Sequence, residues 1–228
     1  MTAADSFLHE LQRCFDHTNL KADLDSTGIE RLCEEARQYS FHSVCINPVW
    51  VSFAARLLKG SDVRITTVCG FPLGANRTDI KVAEAAGSIA DGAHEIDMVA
   101  NIAWLKSGDF KQAAQEIQAV RNEMPKEAVL KVIIECALLT PDQQHEAVNA
   151  VIDGGAEFVK TGTGFCDPVT AEQVQTLHEA AAGRVKIKAA GGIRTLDQCR
   201  TLLKAGADRL GCSSSVAIMR ELAAETTP

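Results

Sequence analysis

The segment GAEFVKTGTGF (155–165) decides the architecture, because it joins a helix-ending glycine, a short apolar strand and a polar turn. Glycine tolerates the left-handed backbone conformation at which many helices end. The same layout occurs in GAHEID (92–97), GRVKIK (183–188) and GADRLG (206–211). The fifth residue after each glycine is predicted to end a strand, at Asp97, Lys160, Lys188 and Gly211. The repeats therefore predict parallel strands with charged side chains at their carboxyl ends, where barrel enzymes place their active sites.

Eight β-rich runs follow one another along the chain, and longer helical patterns separate them. Their spacing of roughly 20–36 residues suits parallel strands that are joined by crossover helices. Four helical patterns begin with a threonine that is followed three residues later by glutamate or glutamine, the signature of a capping box. These threonines are Thr27, Thr140, Thr170 and Thr195. The predicted strands are residues 14–18, 43–46, 63–68, 94–99, 129–134, 157–160, 184–188 and 208–210.

An open, doubly wound sheet is the alternative to a closed barrel. A dinucleotide-binding sheet of that kind needs a G-x-G-x-x-G turn after its first strand, and FDHTNLKADL (15–24) lacks this motif. Eight evenly spaced strand–helix units favour closure instead. We therefore predict a single-domain (β/α)₈ TIM barrel over residues 1–228, with a short N-terminal helix.

Composition restricts the partners and the compartment. The net charge of −7 and the lack of a basic stripe argue against a nucleic-acid partner. No apolar run reaches the ~20 residues that cross a bilayer, and the N-terminus lacks the features of a signal peptide. We therefore expect no membrane partner and a cytoplasmic location. The eight cysteines are scattered without a C-x-x-C motif, which predicts neither a disulfide framework nor a metal site.

Two successive predicted strands end in lysines, Lys160 and Lys188. A lysine forms an imine with a carbonyl only when its amine is neutral, so its ordinary pKa of ~10.4 must be lowered by burial or by a nearby cation. Neighbouring strands lie ~4.8 Å apart, so Lys188 is expected to place its charge close to Lys160. Either lysine alone would be interpreted as a solvated surface residue. Their adjacent placement predicts that Lys160 is a Schiff-base nucleophile.

Two acidic residues are predicted near these lysines. Asp97 ends the fourth strand, where a carboxylate can move protons directly or through a water, or can pair with a lysine. Asp16, in FDHT (15–18), is a second carboxylate of this kind and is expected to orient a lysine or to bind a substrate hydroxyl. His17 is expected to cap or pack, because it has no evident catalytic partner in the sequence.

Three further residues are candidates for contact with substrate. Lys131 is expected to project into the barrel toward Asp97 or Glu135. Cys45 falls at the end of the second strand and is expected to form a pocket wall rather than to act as a nucleophile. Thr161 follows Lys160 in the polar turn. Together with Asp16, these three residues make up the predicted substrate-binding set.

Two Gly-rich turns predict a phosphate site after the seventh and eighth strands. KAAGGIRT (188–195) and LGCSSS (210–215) each stand directly before a predicted helix. Glycine permits close backbone approach, and helix N-termini favour anions. Barrel enzymes frequently bind phosphate after strands seven and eight. The candidate phosphate ligands are Gly164, Gly191, Gly192, Gly211, Ser213 and Ser214.

These motifs resemble those of the deoxyribose-phosphate aldolase family over nearly the whole chain. The most specific are KTGTG (160–164) and KAAGG (188–192), in this order and near this separation. The other matching segments are FDHT (15–18), VCINP (44–48), GFPLGA (70–75), EIDMV (95–99), LKVIIE (130–135) and LGCSSS (210–215).

The resemblance implies a class I aldolase that reversibly cleaves 2-deoxy-D-ribose 5-phosphate to D-glyceraldehyde 3-phosphate and acetaldehyde. By this resemblance Lys160 forms the Schiff base, Lys188 perturbs the pKa of Lys160, and Asp97 assists proton transfer. The lysine serves as electron sink, so no cofactor and no metal are expected. The expected partners are the phosphorylated sugar and acetaldehyde, and the family suggests a homodimer.

The chain departs from the family pattern at a few positions, which leaves two alternatives open. Gly162 stands where members usually carry serine, and the only tyrosine is Tyr39 although many longer members end in a tyrosine tail. One alternative is a Schiff-base aldolase of the same architecture with a different donor or acceptor. The other is a phosphate-binding barrel without turnover.

Overall fold

Eight parallel strands close into a barrel in the order in which they follow along the chain. The computed structural model describes residues 3–226, and the side chains of residues 9–225. The first strand pairs with the last, so that Asp16 lies beside Gly211. This closure confirms the predicted TIM barrel. The strands are β1 (Phe15–Thr18), β2 (Ser43–Ile46), β3 (Arg64–Cys69), β4 (Glu95–Val99), β5 (Val129–Ile133), β6 (Phe158–Lys160), β7 (Lys186–Ala190) and β8 (Arg209–Cys212).

The helices form a layer around the barrel, and the predicted short N-terminal helix is present as α1. No helix within residues 3–226 is both long and apolar enough to span a membrane. The helices are α1 (Ala3–Cys14), α2 (Ser26–Gln38), α3 (Val51–Leu57), α4 (Thr78–Ala90), α5 (Ile102–Ser107), α6 (Phe110–Asn122), α7 (Pro141–Asp153), α8 (Ala171–Ala181), α9 (Leu196–Lys204) and α10 (Ser215–Thr226).

Three of the four predicted capping boxes are present. Thr140, Thr170 and Thr195 each accept a hydrogen bond from the backbone of the glutamine three residues later, and that glutamine accepts from the threonine backbone. The box predicted at Thr27 is wrong. Asp25 caps α2 instead, because its carboxylate accepts from the Gly28 N–H at 2.9 Å and the helix begins before Thr27.

The strands are buried on both faces, and this places charged side chains inside the barrel. Successive residues of a strand point to opposite faces, so Glu95 and Asp97 share the interior face of β4 while Ile96 faces the helices. Lys160 is the last residue of β6, as predicted. Lys188 was expected to end its strand at the predicted boundary of 184–188, but it lies two residues before the end of β7. Asp97 was expected at the carboxyl end of the strand predicted over 94–99, and it lies two residues before the end of β4. Both strands continue because β4 remains paired with β5, and β7 with β8, beyond these two residues. Asp97 and Lys188 therefore lie deeper in the barrel, and their side chains are fully buried.

Lys81 and Glu116 form a buried ion pair between α4 and α6, outside the barrel interior. Lys81 Nζ donates to Glu116 Oε2 at 2.8 Å and to the Val99 carbonyl at 2.9 Å. We expect Lys81→Met to lower the free energy of unfolding by about 3–5 kcal/mol, because it leaves a buried carboxylate without its cation. Urea denaturation measures this loss.

A double variant provides the control for this pair. Lys81→Met with Glu116→Gln is expected to recover part of the stability, because the amide is neutral and still accepts from the Asn101 N–H, which lies 3.1 Å from Glu116 Oε2. If the double variant were no more stable than Lys81→Met, the buried charge would not be the cause of the loss.

Candidate active site

A cavity of about 750 Å³ lies at the carboxyl ends of the strands. Its walls come from α2 and from the segments that follow β1, β6, β7 and β8. Lys160 lines this cavity, together with Thr163 from the turn after β6. Barrel enzymes build their active sites at this face. The cavity is therefore the candidate site.

A cluster of charged side chains fills the barrel interior beside the cavity. It holds three carboxylates and four cations, which contact one another through ion pairs. Burying so many charges is tolerated only where each is paired. We call the following residues the charged cluster: Asp16, Glu95, Asp97, Lys131, Lys160, Lys188 and Arg209.

Asp97 joins three lysines at the centre of the charged cluster. Its Oδ2 accepts from Lys160 Nζ at 2.8 Å and from Lys188 Nζ at 2.7 Å. Its Oδ1 accepts from Lys131 Nζ at 2.9 Å. Burial alone would raise the pKa of Asp97, but the three lysines outweigh it and hold this pKa well below its usual range. The carboxylate is therefore ionised at neutral pH.

Lys188 is a permanently charged neighbour of Lys160. Burial alone would lower the pKa of Lys188, but Asp16 and Asp97 outweigh it and raise this pKa above its ordinary value. Lys188 Nζ donates to Asp16 Oδ2 as well as to Asp97. The two lysines are paired residues of adjacent strands, and their ammonium groups share one carboxylate oxygen. Lys188 thus keeps a positive charge next to Lys160.

Access to the cavity distinguishes the three lysines of the charged cluster. Lys131 and Lys188 are 0% exposed, whereas Lys160 is 3% exposed and lines the cavity. Among the lysines of residues 9–225, Lys160 alone both contacts Asp97 and lines the cavity. It is therefore the lysine of the charged cluster that a carbonyl compound in the cavity can reach.

The four residues predicted to bind substrate lie behind the cavity wall. Asp16, Cys45, Lys131 and Thr161 are all buried, and none of them lines the cavity. Asp16 accepts from Lys188, from Arg209 at 2.8 Å and from the Ser43 hydroxyl at 2.8 Å. Because the carboxylate of Asp16 is occupied inside the protein, these contacts support an orienting role for Asp16 over direct contact with substrate.

Lys131 is buried as a charged residue with acidic partners, whereas Cys45 is buried as a neutral thiol. Lys131 contacts Asp97, one of the two acidic residues toward which it was predicted to project. It also pairs with Glu95, and its Nζ lies 3.6 Å from Asp16 Oδ2. Burial raises the pKa of the Cys45 thiol, and the nearby cation Lys188 opposes this only in part. The thiol is thus held neutral, in keeping with an inert wall residue.

The turn after Lys160 is fixed on both sides. The Thr161 hydroxyl donates to the Ala190 carbonyl at 3.1 Å and accepts from the Ala190 N–H at 3.0 Å, which ties the turn to β7. On the other side, Glu135 accepts from the backbone N–H and the hydroxyl of Thr163. A Cβ atom on Gly162 would lie 2.7 Å from Glu135 Oε1. A side chain at this position would therefore require the Glu135 carboxylate to shift.

The predicted phosphate turns border the same cavity. Five of the six candidates line it, and the exception is Ser214, whose N–H donates to Cys212 Sγ at 3.2 Å. Gly192 has a φ of +70°, and a Cβ there would meet Pro168 at 2.8 Å, so only glycine fits this turn. The five cavity-lining candidates are Gly164, Gly191, Gly192, Gly211 and Ser213.

Three residues with a place in this site were missed or underestimated from the sequence. Glu95 and Arg209 belong to the charged cluster. They stand two residues before Asp97 and Gly211, on the same face of their strands, so the alternation of side chains along a strand could have predicted them. His17 lines the cavity with both ring nitrogens hydrogen-bonded, to Ser215 and Glu35. No local pattern signals these two partners, because both are distant in the chain.

Asp16, His42 and Glu95 bring three possible metal-ligating atoms within 4.8 Å of one another. The two carboxylates already pair with cations, Asp16 with Lys188 and Arg209, and Glu95 with Lys131. A bound cation would have to compete with these ammonium and guanidinium groups. The donor set therefore fits an internal ion-pair network better than a metal centre.

Comparison with known proteins gives one consistent family. The family model described as DeoC/LacD family aldolase matches residues 12–220. A deoxyribose-phosphate aldolase of Clostridium perfringens (strain SM101) is 44% identical over 96% of this chain and 98% of its own length. The deoxyribose-phosphate aldolase of Deinococcus radiodurans is 47% identical over 90% of this chain and 93% of its own length.

Solved structures give the same result. An aldolase named QR15 superposes with a TM-score of 0.90 at 36% identity, over 94% of this chain and 96% of its own. The tetrameric deoxyribose phosphate aldolase of Aeropyrum pernix superposes with a TM-score of 0.88 at 27% identity, over 99% of this chain and 100% of its own.

Proposed function

Because the chain belongs to the DeoC/LacD aldolase family, we propose that Lys160 is the residue through which it acts as a class I aldolase. The enzyme is a deoxyribose-phosphate aldolase. It reversibly cleaves 2-deoxy-D-ribose 5-phosphate to D-glyceraldehyde 3-phosphate and acetaldehyde through a lysine Schiff base. One observation carries the choice of Lys160: this lysine contacts Asp97 and also lines the cavity.

The first chemical step is formation of the imine. Lys160, as a neutral amine, adds to C1 of the open-chain sugar, and the carbinolamine loses water to give an iminium ion. Lys188 places its charge beside the reacting nitrogen, because Lys160 and Lys188 both donate to Asp97 Oδ2. The ionised Asp97, 2.8 Å from the Lys160 nitrogen, stabilises the positive charge of the iminium.

The second step breaks the bond between C2 and C3. The C3 hydroxyl gives up its proton and becomes the aldehyde of glyceraldehyde 3-phosphate, while the bonding electrons move to C2 and the iminium becomes an enamine. Protonation at C2 and addition of water then release acetaldehyde and the free amine. Asp97, acting through a water, is the proposed proton carrier. Asp16 and Lys131 are the proposed positioning residues, since they hold Lys188 and Asp97 in place.

The phosphate of the substrate is proposed to occupy the Gly-rich turns after β7 and β8. Gly191, Gly192 and Gly211 line the cavity there, and Ser213 lies beside the start of α10. Backbone N–H groups at such turns attract anions. Cys45 and Thr161 are proposed to shape the wall from behind, because both are buried.

The test of this function is covalent trapping. The protein is incubated with acetaldehyde and sodium borohydride, and its mass is measured intact and after proteolysis. One reduced ethyl group on Lys160 is the expected result. No adduct, or adducts spread over several surface lysines, would mean that the barrel does not form the imine. A panel of acceptor aldehydes then separates this enzyme from an aldolase of other specificity.

Three properties of the whole protein complete the proposal. We propose a single domain over residues 1–228, since the barrel strands run from Phe15 to Cys212. All eight cysteines are free, which supports a reducing compartment such as the cytoplasm. A homodimer is the proposed assembly, and light scattering of the purified chain tests it against a monomer or a tetramer.

A further inference from the structure

His17 links two elements that flank the cavity. Its ring is almost fully buried, lines the cavity and packs against Phe41, with ring centroids 5.1 Å apart. His17 Nδ1 lies 2.6 Å from Ser215 Oγ, and Nε2 lies 3.0 Å from Glu35 Oε2. Glu35 is held in turn by Arg31, whose Nε donates at 2.8 Å. A continuous hydrogen-bonded chain thus runs from α2 through β1 to α10.

The hydrogen bonds that link Glu35, His17 and Ser215 allow only one assignment of donors and acceptors. Burial would raise the pKa of Glu35, but hydrogen bonds from Arg31 and His17 outweigh it, so the carboxylate is ionised and accepts. Burial lowers the pKa of His17 despite Glu35, so the ring is neutral near pH 7. Its one N–H is therefore on Nε2, where the carboxylate accepts it. Nδ1 is then an acceptor, and the Ser215 hydroxyl must donate to it.

Ser215 stands at the point where α10 begins, next to the predicted phosphate turn. The first backbone hydrogen bond of this helix runs from the Ile218 N–H to the Ser214 carbonyl. The N–H groups of residues 215–217 therefore have no acceptor within the helix. Ser213, two residues earlier, lines the cavity. The position of Ser215 consequently decides where these N–H groups lie relative to an anion in the cavity.

The order carboxylate–histidine–serine is also that of a nucleophilic triad, but burial excludes that use here. Ser215 is 0% exposed, so its hydroxyl cannot reach an acyl or phosphoryl group in the cavity. Nucleophilic serines need access to the reacting carbon or phosphorus atom. The array is thus a positioning device.

We propose that His17 is a positioning residue for phosphate recognition: held by Glu35, it fixes Ser215 and with it the N-terminal turn of α10. The inference rests on the proposed function, because it requires that the phosphate of the substrate binds at this turn. It assigns to this histidine a role in substrate preference and none in the covalent chemistry. Lys160 and Asp97 lie on other strands, and neither of them hydrogen-bonds His17.

The test compares a phosphorylated with an unphosphorylated substrate. His17→Phe keeps the ring packing but loses both hydrogen bonds, and Ser215→Ala removes only the donor. For each variant we expect kcat/KM for 2-deoxyribose 5-phosphate to fall ~5-fold more than kcat/KM for 2-deoxyribose, the size of one lost hydrogen bond. Inhibition by inorganic phosphate is expected to weaken by a similar factor. The change should lie in KM and not in kcat.

Controls separate positioning from a general loss of structure. Ser88→Ala removes another buried serine hydroxyl, on α4, and is expected to leave the ratio of the two kcat/KM values unchanged. Equal losses on both substrates in Ser215→Ala, or unchanged inhibition by phosphate, would overturn the inference. If His17→Phe does not fold, the comparison of the two substrates with Ser215→Ala is the test of the inference. A wild-type protein that neither prefers the phosphorylated sugar nor binds phosphate would overturn the proposed phosphate site itself.

Discussion

Replacing Lys160 by leucine is expected to abolish turnover of 2-deoxyribose 5-phosphate, by at least about 10⁴-fold, because no other lysine of residues 9–225 both contacts Asp97 and lines the cavity. The borohydride-trapped adduct with acetaldehyde should disappear at the same time. Stability should change far less than activity. Asp97 keeps Lys131 and Lys188 as partners, so no buried carboxylate is left unpaired.

A matched lysine provides the control for this variant. Lys186 is an exposed residue at the start of β7, with its Nζ 5.8 Å above the Phe158 ring, and it takes part in none of the ion pairs of the charged cluster. Lys186→Leu should retain both turnover and the adduct. Measurable turnover in Lys160→Leu, with protein free of wild-type contamination, would assign the Schiff base to a different residue.

The second large effect is expected on removal of the charge of Lys188. Lys188→Met should lower kcat by about 10²–10⁴-fold, because Asp97 Oδ2 loses the buried cation that it shares with Lys160, and the proposed proton carrier is no longer held in place. Steady-state kinetics with 2-deoxyribose 5-phosphate measures this loss, and borohydride trapping with acetaldehyde measures imine formation independently.

Stability and charge must be separated in this second experiment. Lys188→Met removes a cation that is 0% exposed and contacts both Asp16 and Asp97, so we expect the free energy of unfolding to fall by about 3–5 kcal/mol. Lys188→Arg keeps the positive charge and is expected to retain more activity than Lys188→Met. A folded Lys188→Met protein with the wild-type kcat would show that Lys188 has no part in the reaction of Lys160.

The order of strands and helices could be predicted because the signals for it are local. Helix-ending glycines, capping threonines and short apolar runs depend on a few neighbouring residues, and three of the four capping boxes are confirmed. The strand ends depend on more than the local sequence. Asp97 and Lys188 were placed at the rim, but the ladders continue for two more residues, since strand length depends on the partner strands as well as on the segment itself.

The sequence by itself determined the barrel, the candidate lysines and the glycine turns, because each of these follows from a short pattern or from the spacing between patterns. Only the tertiary structure decided which charges meet. Lys188 pairs with Asp16 across 172 residues of chain, and His17 meets Ser215 across 198. Such contacts form when β1 closes onto β8 and the strand register sets which side chains share a level. The same closure buries Lys131 and Lys188 and leaves Lys160 as the lysine of the charged cluster that faces the cavity.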